Sequence, residues 1–95
     1  MIKQIEILEH VISVGDAPLD KGDVFGAVCM ASQEMYIDAT LGNDVYMQTA
    51  LHECVHIICA LTGIELDESD TDLMALGFMS LVRNNPELIS KLGRE

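Results

Sequence analysis

The chain has 95 residues, with 16 acidic against 5 basic side chains, a formal net charge of -11, and 49% hydrophobic but only 4% aromatic residues. That length holds one domain with one modest core, built from aliphatic and Met side chains, and excludes a second domain. The acidic balance argues against direct binding of nucleic-acid phosphates; it leaves cationic surfaces, metal ions or mimicry of an anionic partner as the classes it admits.

The first segment, Met1-Ile2-Lys3-Gln4-Ile5-Glu6, carries charges where a signal peptide needs its apolar stretch. No apolar run approaches the length of a membrane span, so a cytoplasmic protein without a membrane partner is expected. Ile5, Ile7 and, after a slip in the alternation, Val11 to Val14 predict a first strand, stopped by Gly15-Asp16-Ala17-Pro18. A loop rich in Gly, Asp, Pro and Lys runs from Asp16 to Gly26. Ala27-Val28-Cys29-Met30-Ala31 and Met35-Tyr36-Ile37-Asp38 then predict a hairpin around Ser32-Gln33-Glu34. Cys29, Cys54 and Cys59 form no C-x-x-C pair, and an odd number of apolar-flanked cysteines fits buried thiols in a reducing compartment.

Asn43 or Asp44 is the predicted cap of a helix that runs to about Leu61 and stops at Thr62-Gly63. A second helix opens within Asp67 to Thr71 and carries Met74, Ala75, Phe78, Met79, Leu81 and Val82 at helical spacing. Asn84-Asn85-Pro86 ends it, and Pro86 starts a short third helix through Leu92, with Lys91 and Arg94 near its end where they suit the helix dipole. The expected fold class is α+β: a small antiparallel sheet packed on a two-helix core with a short C-terminal helix, as one domain over residues 1–95.

The first helix holds the most informative stretch, Leu51-His52-Glu53-Cys54-Val55-His56-Ile57-Ile58. Two imidazoles four residues apart share a helix face, and a glutamate stands between them. One helix thereby offers two nitrogen ligands to a zinc ion and a carboxylate that can take a proton from water. The apolar neighbours Leu51, Val55, Ile57, Ile58 and Leu61 imply burial, so each polar group needs a partner. Two histidines alone hold zinc weakly. The metzincin extension fails, because Cys59 and Thr62 occupy the positions where it requires Gly and His. His10, the only other histidine, lies in the first strand. The remaining candidates for a third ligand are Asp67, Glu68, Asp70 and Asp72; Asp72 is expected to serve because it shares the stripe of Ala75, Met79 and Val82. The bland alternative makes Asp72 a first-turn acid favoured by the helix dipole, in a capping arrangement with Ser69, and makes His52 and His56 core histidines satisfied by buried carboxylates.

His52-Glu53-x-x-His56, an acidic residue opening a second helix with D-x-x-A spacing from Asp72 to Ala75, and Asn85-Pro86-Glu87-Leu88 together resemble the small, often phage-encoded ImmA/IrrE-type metallopeptidases of the gluzincin-like group. The resemblance covers most of the chain. It implies a minimal zincin-like domain in which a small sheet precedes the motif helix and Zn²⁺ is held by His52, His56 and Asp72. It also implies Glu53 as the catalytic base for hydrolysis of a peptide or protein substrate, a host or phage regulatory protein being the expected one. That family usually has Glu where this chain has Asp72, so its second helix has to come closer. Tyr36 or Tyr46 is a candidate for stabilising the oxyanion, against the commoner reading of each as a packing residue. The segment Met35 to Asp38 is expected as an edge strand able to align a peptide. A different class of function stands beside this one: a non-catalytic acidic binding or inhibitor protein, either a degenerate zincin fold or a nucleic-acid mimic, for which the net charge is the supporting feature.

Overall fold

A computed structural model describes residues 2–16 and 25–93. Four strands, β1 (Gln4–Ile7), β2 (His10–Asp16), β3 (Gly26–Cys29) and β4 (Glu34–Ile37), precede three helices, α1 (Asn43–Thr62), α2 (Glu68–Asn84) and α3 (Pro86–Leu92). The α+β class stands as expected. The loop between Asp16 and Gly26 and the position of Arg94 fall almost wholly outside the described residues.

The slip in the first apolar pattern is a hairpin, so the expected single strand is two. β1 pairs antiparallel with β2, with Ile7 opposite His10. Only Leu8 and Glu9 connect them, at φ 49° and 69°. Two-residue loops of this kind match the right-handed twist of the strands but require the left-handed region at both central positions, which Asn-Gly fills far more cheaply than Leu-Glu. Each L residue held there costs about 1–2 kcal/mol. Replacing Leu8 and Glu9 with Asn and Gly is therefore expected to stabilise the chain by about 1–2 kcal/mol. A raised urea midpoint with an unchanged m-value would register it; an unchanged midpoint would mean the turn is unstrained.

β3 and β4 form the expected hairpin, with Cys29 opposite Glu34. The sheet, however, is mixed. β4 lies between β2 and β3 in the order β1-β2-β4-β3, and its pairing with β2 is parallel. The all-antiparallel expectation fails because β4 turns back from β3 and inserts beside β2, a non-local choice that hairpin signals do not encode. A second correction follows: Met35 to Asp38 is paired on both sides, and the free edge beside it is β3. Asp38 N–H donates to Phe25 O at 2.8 Å. Antiparallel alternation then assigns the ladder bonds to Phe25, Ala27 and Cys29, and leaves the backbone groups of Gly26 and Val28 facing outward.

One face of the sheet presents Ile12, Met35 and Ile37, all fully buried, to Tyr46, Ala50 and Ile57 of α1. Helix α1 is apolar around much of its circumference because it lies between two partners, with the sheet on one side and α2 on the other. It begins at Gly42, whose carbonyl accepts from Tyr46 N–H at 2.8 Å without a side-chain cap. The expected cap residues are already inside the helix, and Asp44 instead accepts from Arg83 at 2.7 Å, joining the start of α1 to the end of α2. Gly63 closes α1 in the left-handed conformation at φ 79°, as expected. Among the described residues, no helix is long and apolar enough to cross a membrane.

Candidate metal centre

Asp67 sets the position of everything α2 contributes. Its carboxylate accepts from Asp70 N–H at 2.7 Å, and its carbonyl accepts from the buried hydroxyl of Thr71 at 2.8 Å. Asp67 is therefore the N-cap, in place of any arrangement around Ser69, and Glu68 and Asp72 follow one turn apart on the face toward α1.

These two acids meet the motif differently. Glu68 Oε2 lies 3.1 Å from His52 Nε2, and Glu68 Oε1 lies 2.8 Å from His56 Nε2. The two Nε2 atoms are themselves 3.1 Å apart. Asp72 Oδ1 sits on the opposite nitrogen, His52 Nδ1, at 2.6 Å. An ionised carboxylate only accepts hydrogen bonds, so Nδ1 carries a proton toward Asp72, and in the neutral imidazole Nε2 then turns its lone pair toward Glu68 and His56. Electron pairs gathered at 2.8–3.1 Å repel unless a proton or a cation lies between them. Donors each ~2.0–2.1 Å from one shared ion stand about 3.3 Å apart in a tetrahedron, close to what is found. His52, His56 and Glu68 could thus hold a metal ion. Asp72, the expected third ligand, stands outside this group: its Oδ1 meets Nδ1 of His52, while Glu68 reaches Nε2 of both imidazoles.

The group opens on a cleft of about 620 Å³ lined also by Phe25, Gly26, Val45, Gln48, Thr49 and Glu53. Glu53 lies at its floor, 6% exposed. Burial raises its pKa above the ordinary carboxylate value, against the pull of His52 and His56 and with a contribution from the negative charge of Glu68. Burial, with Glu53 beside it, also pushes the Cys54 thiol up to about 11, so without a metal it remains protonated at neutral pH. His10 points elsewhere, with its Nδ1 3.4 Å from Gln33 Nε2.

Neither tyrosine reaches this cleft. Tyr46 is 7% exposed within the sheet-facing core. Tyr36 belongs to the sheet face turned away from α1, beside Gly15, where its hydroxyl interacts with Glu34. The oxyanion role considered for them finds no support in their positions.

Gly26, expected at the end of a loop, opens β3 instead. A Cβ there would stand 2.7 Å from Thr49 Cγ2, 3.0 Å from the carbonyl of Tyr36 and 3.5 Å from Glu53 Cγ. Thr49 is buried and β-branched, so it cannot yield. The missing side chain is what lets the free edge β3 lie against the motif helix. A glycine entering a strand is a recognised sign of such close approach and could have been read that way. Gly26→Ala is expected to cost about 1–3 kcal/mol by overpacking and to perturb the cleft; a melting temperature equal to that of the wild type would show that β3 and α1 separate freely.

Comparison with family models, with curated proteins and with solved structures found no match for this chain.

Proposed function

We infer that this protein is a zinc-dependent peptidase that hydrolyses a peptide bond, with a regulatory protein as its substrate class. The observation that carries the reading is the convergence of His52 Nε2, His56 Nε2 and the Glu68 carboxylate beside the buried Glu53. Two neutral imidazoles and one carboxylate suit borderline-soft zinc better than magnesium or calcium, which favour all-oxygen sites. Zinc bound there would polarise the scissile carbonyl and make water more acidic.

The chain's own residues supply the rest. His52, His56 and Glu68 would hold the ion, and Asp72 would keep His52 in the ligating tautomer, a role that outer partners of metal-binding histidines commonly have. Glu53 accepts a proton from the attacking water and returns it to the leaving amine; its raised pKa brings it nearer to the working pH of such a base. The outward backbone groups of Gly26 and Val28 offer an extended peptide a strand to pair with along the cleft.

The test is to present the zinc-loaded protein with a library of unstructured peptides and read products by mass spectrometry. Cleavage that a chelator abolishes and zinc restores supports the reading. Bound zinc without any product in the library would leave an acidic, metal-holding binding module, the function its charge of -11 also accommodates.

A further inference from the structure

Hydrolysis of an amide leaves a negative charge that the residues placed so far do not meet. As the water oxygen bonds to the scissile carbon, its proton passes to Glu53 and the π pair of the carbonyl moves onto the carbonyl oxygen, which is an anion until the C–N bond breaks. Hydrogen-bond donors aimed at that oxygen act on the rate, because the charge they meet develops only in the transition state. Both tyrosines lie elsewhere. The carboxylates of Glu53, Glu68 and Asp72 that line the cleft would repel an anion, and Phe25 and Val45 carry no side-chain donor. Two neutral side-chain donors remain in the lining, the Thr49 hydroxyl and the Gln48 carboxamide.

The turn of the helix, about 100° per residue, decides between them. Measured from His52, Glu53 lies about 100° around α1 in one direction and Gln48 about 40° in the other, with His56 between them. Thr49 precedes Glu53 by four residues and so shares its side of the cleft. Water adds to a carbonyl at an obtuse angle to the C–O bond, so the oxygen that gains the charge points away from the base that delivers the water. Helical side chains also lean toward the helix N-terminus, and the imidazoles of His52 and His56 therefore reach over the turn that carries Gln48. Gln48 is half-buried, with its side chain part of the cleft wall.

We propose that Gln48 is a further catalytic residue, whose side-chain N–H groups donate to the carbonyl oxygen of the scissile bond as that oxygen becomes an anion. The assignment rests on the peptidase reading of the same cleft. A neutral amide suits the place better than Lys or Arg, whose charge would pair with Glu68 or Asp72 and repel a cation held beside them.

The wild type, Gln48→Ala and Gln48→Glu, each zinc-loaded and compared for zinc content and melting temperature, are assayed on a peptide that the wild type cleaves. Gln48→Ala is expected to keep the zinc and to lower kcat and kcat/KM equally, by about 10²-fold. Gln48→Glu should lower both further, since a carboxylate of the same length repels the anion. Binding gives a second readout. Calorimetry with a phosphonate analogue of the peptide, whose tetrahedral anionic group replaces the scissile carbonyl, should show a Kd raised in Gln48→Ala by about the same factor as kcat/KM falls. A Gln48→Ala variant that keeps both kcat and phosphonate affinity overturns the assignment and leaves the peptidase reading intact. A raised KM at unchanged kcat also overturns it, because Gln48 would then hold the substrate equally before and during reaction. Loss of zinc from Gln48→Ala overturns it by making Gln48 a support of the metal centre. A wild type that cleaves no peptide overturns the peptidase reading and the assignment with it.

Discussion

Glu68→Ala is expected to lower zinc affinity by more than the roughly 10–100-fold that loss of an outer partner costs, whereas Asp72→Asn should fall within that range. The difference follows from the atoms each carboxylate touches. Glu68 reaches Nε2 of both His52 and His56, while Asp72 reaches only Nδ1 of His52. Competition with a chromophoric zinc chelator measures both variants, and the double variant His52→Ala/His56→Ala supplies the baseline at which stoichiometric zinc is lost. If Asp72→Asn proved more damaging than Glu68→Ala, the third ligand would be Asp72 after all. Binding should also weaken in acid and release protons there, because the ligands must be deprotonated to hold the ion. Calorimetry in buffers of different ionisation enthalpy reads that release directly.

Glu53→Gln is expected to retain zinc while losing about 10²–10⁴-fold in peptide hydrolysis, since the amide keeps the shape of the carboxylate but cannot take up a proton. The same substitution makes an opposite prediction for stability. The folded-state pKa of Glu53 lies above its ordinary value because of burial, so the folded chain binds the proton more tightly than the unfolded one. Stability is then lost as pH rises from the ordinary carboxylate range through the raised value, and the loss is complete above it. Removing the charge should therefore stabilise the metal-free protein at neutral pH and change little at a pH low enough to protonate Glu53 in both states. A lower melting temperature for the variant at neutral pH would mean that the Glu53 carboxylate supports the fold, and the assignment as a base held ready at a cost in stability would fail.

The helices, the β3–β4 hairpin and the pair His52 and His56 were legible because local rules govern them. Imidazoles four residues apart share a face in any α-helix, and Gly63 ends α1 because it alone there tolerates φ 79° without strain. The burial of Glu53 followed from the apolar residues around it. Even the hairpin hidden in the first strand had a trace, the interrupted alternation before Val11, although Leu8-Glu9 gave no turn chemistry by which to recognise it.

Tertiary structure alone decided the rest. Whether β4 lies at an edge or between two strands depends on which strand it meets after β3, and nothing within residues 34 to 37 records that meeting. Glu68 and Asp72 stand on one face of α2 a single turn apart, so their own helix ranks them equally. The choice rests on how far α2 slides along α1, which is set by the Asp67 cap, the contact of Arg83 with Asp44 and the packing of Ala75. One turn of a helix is ~5.4 Å, several times the tolerance of a coordination bond. Residue types and their periodicity thus determined what chemistry the motif helix could present, while the relative placement of two helices, a sum of many weak contacts distant in sequence, determined which imidazole nitrogens each carboxylate met.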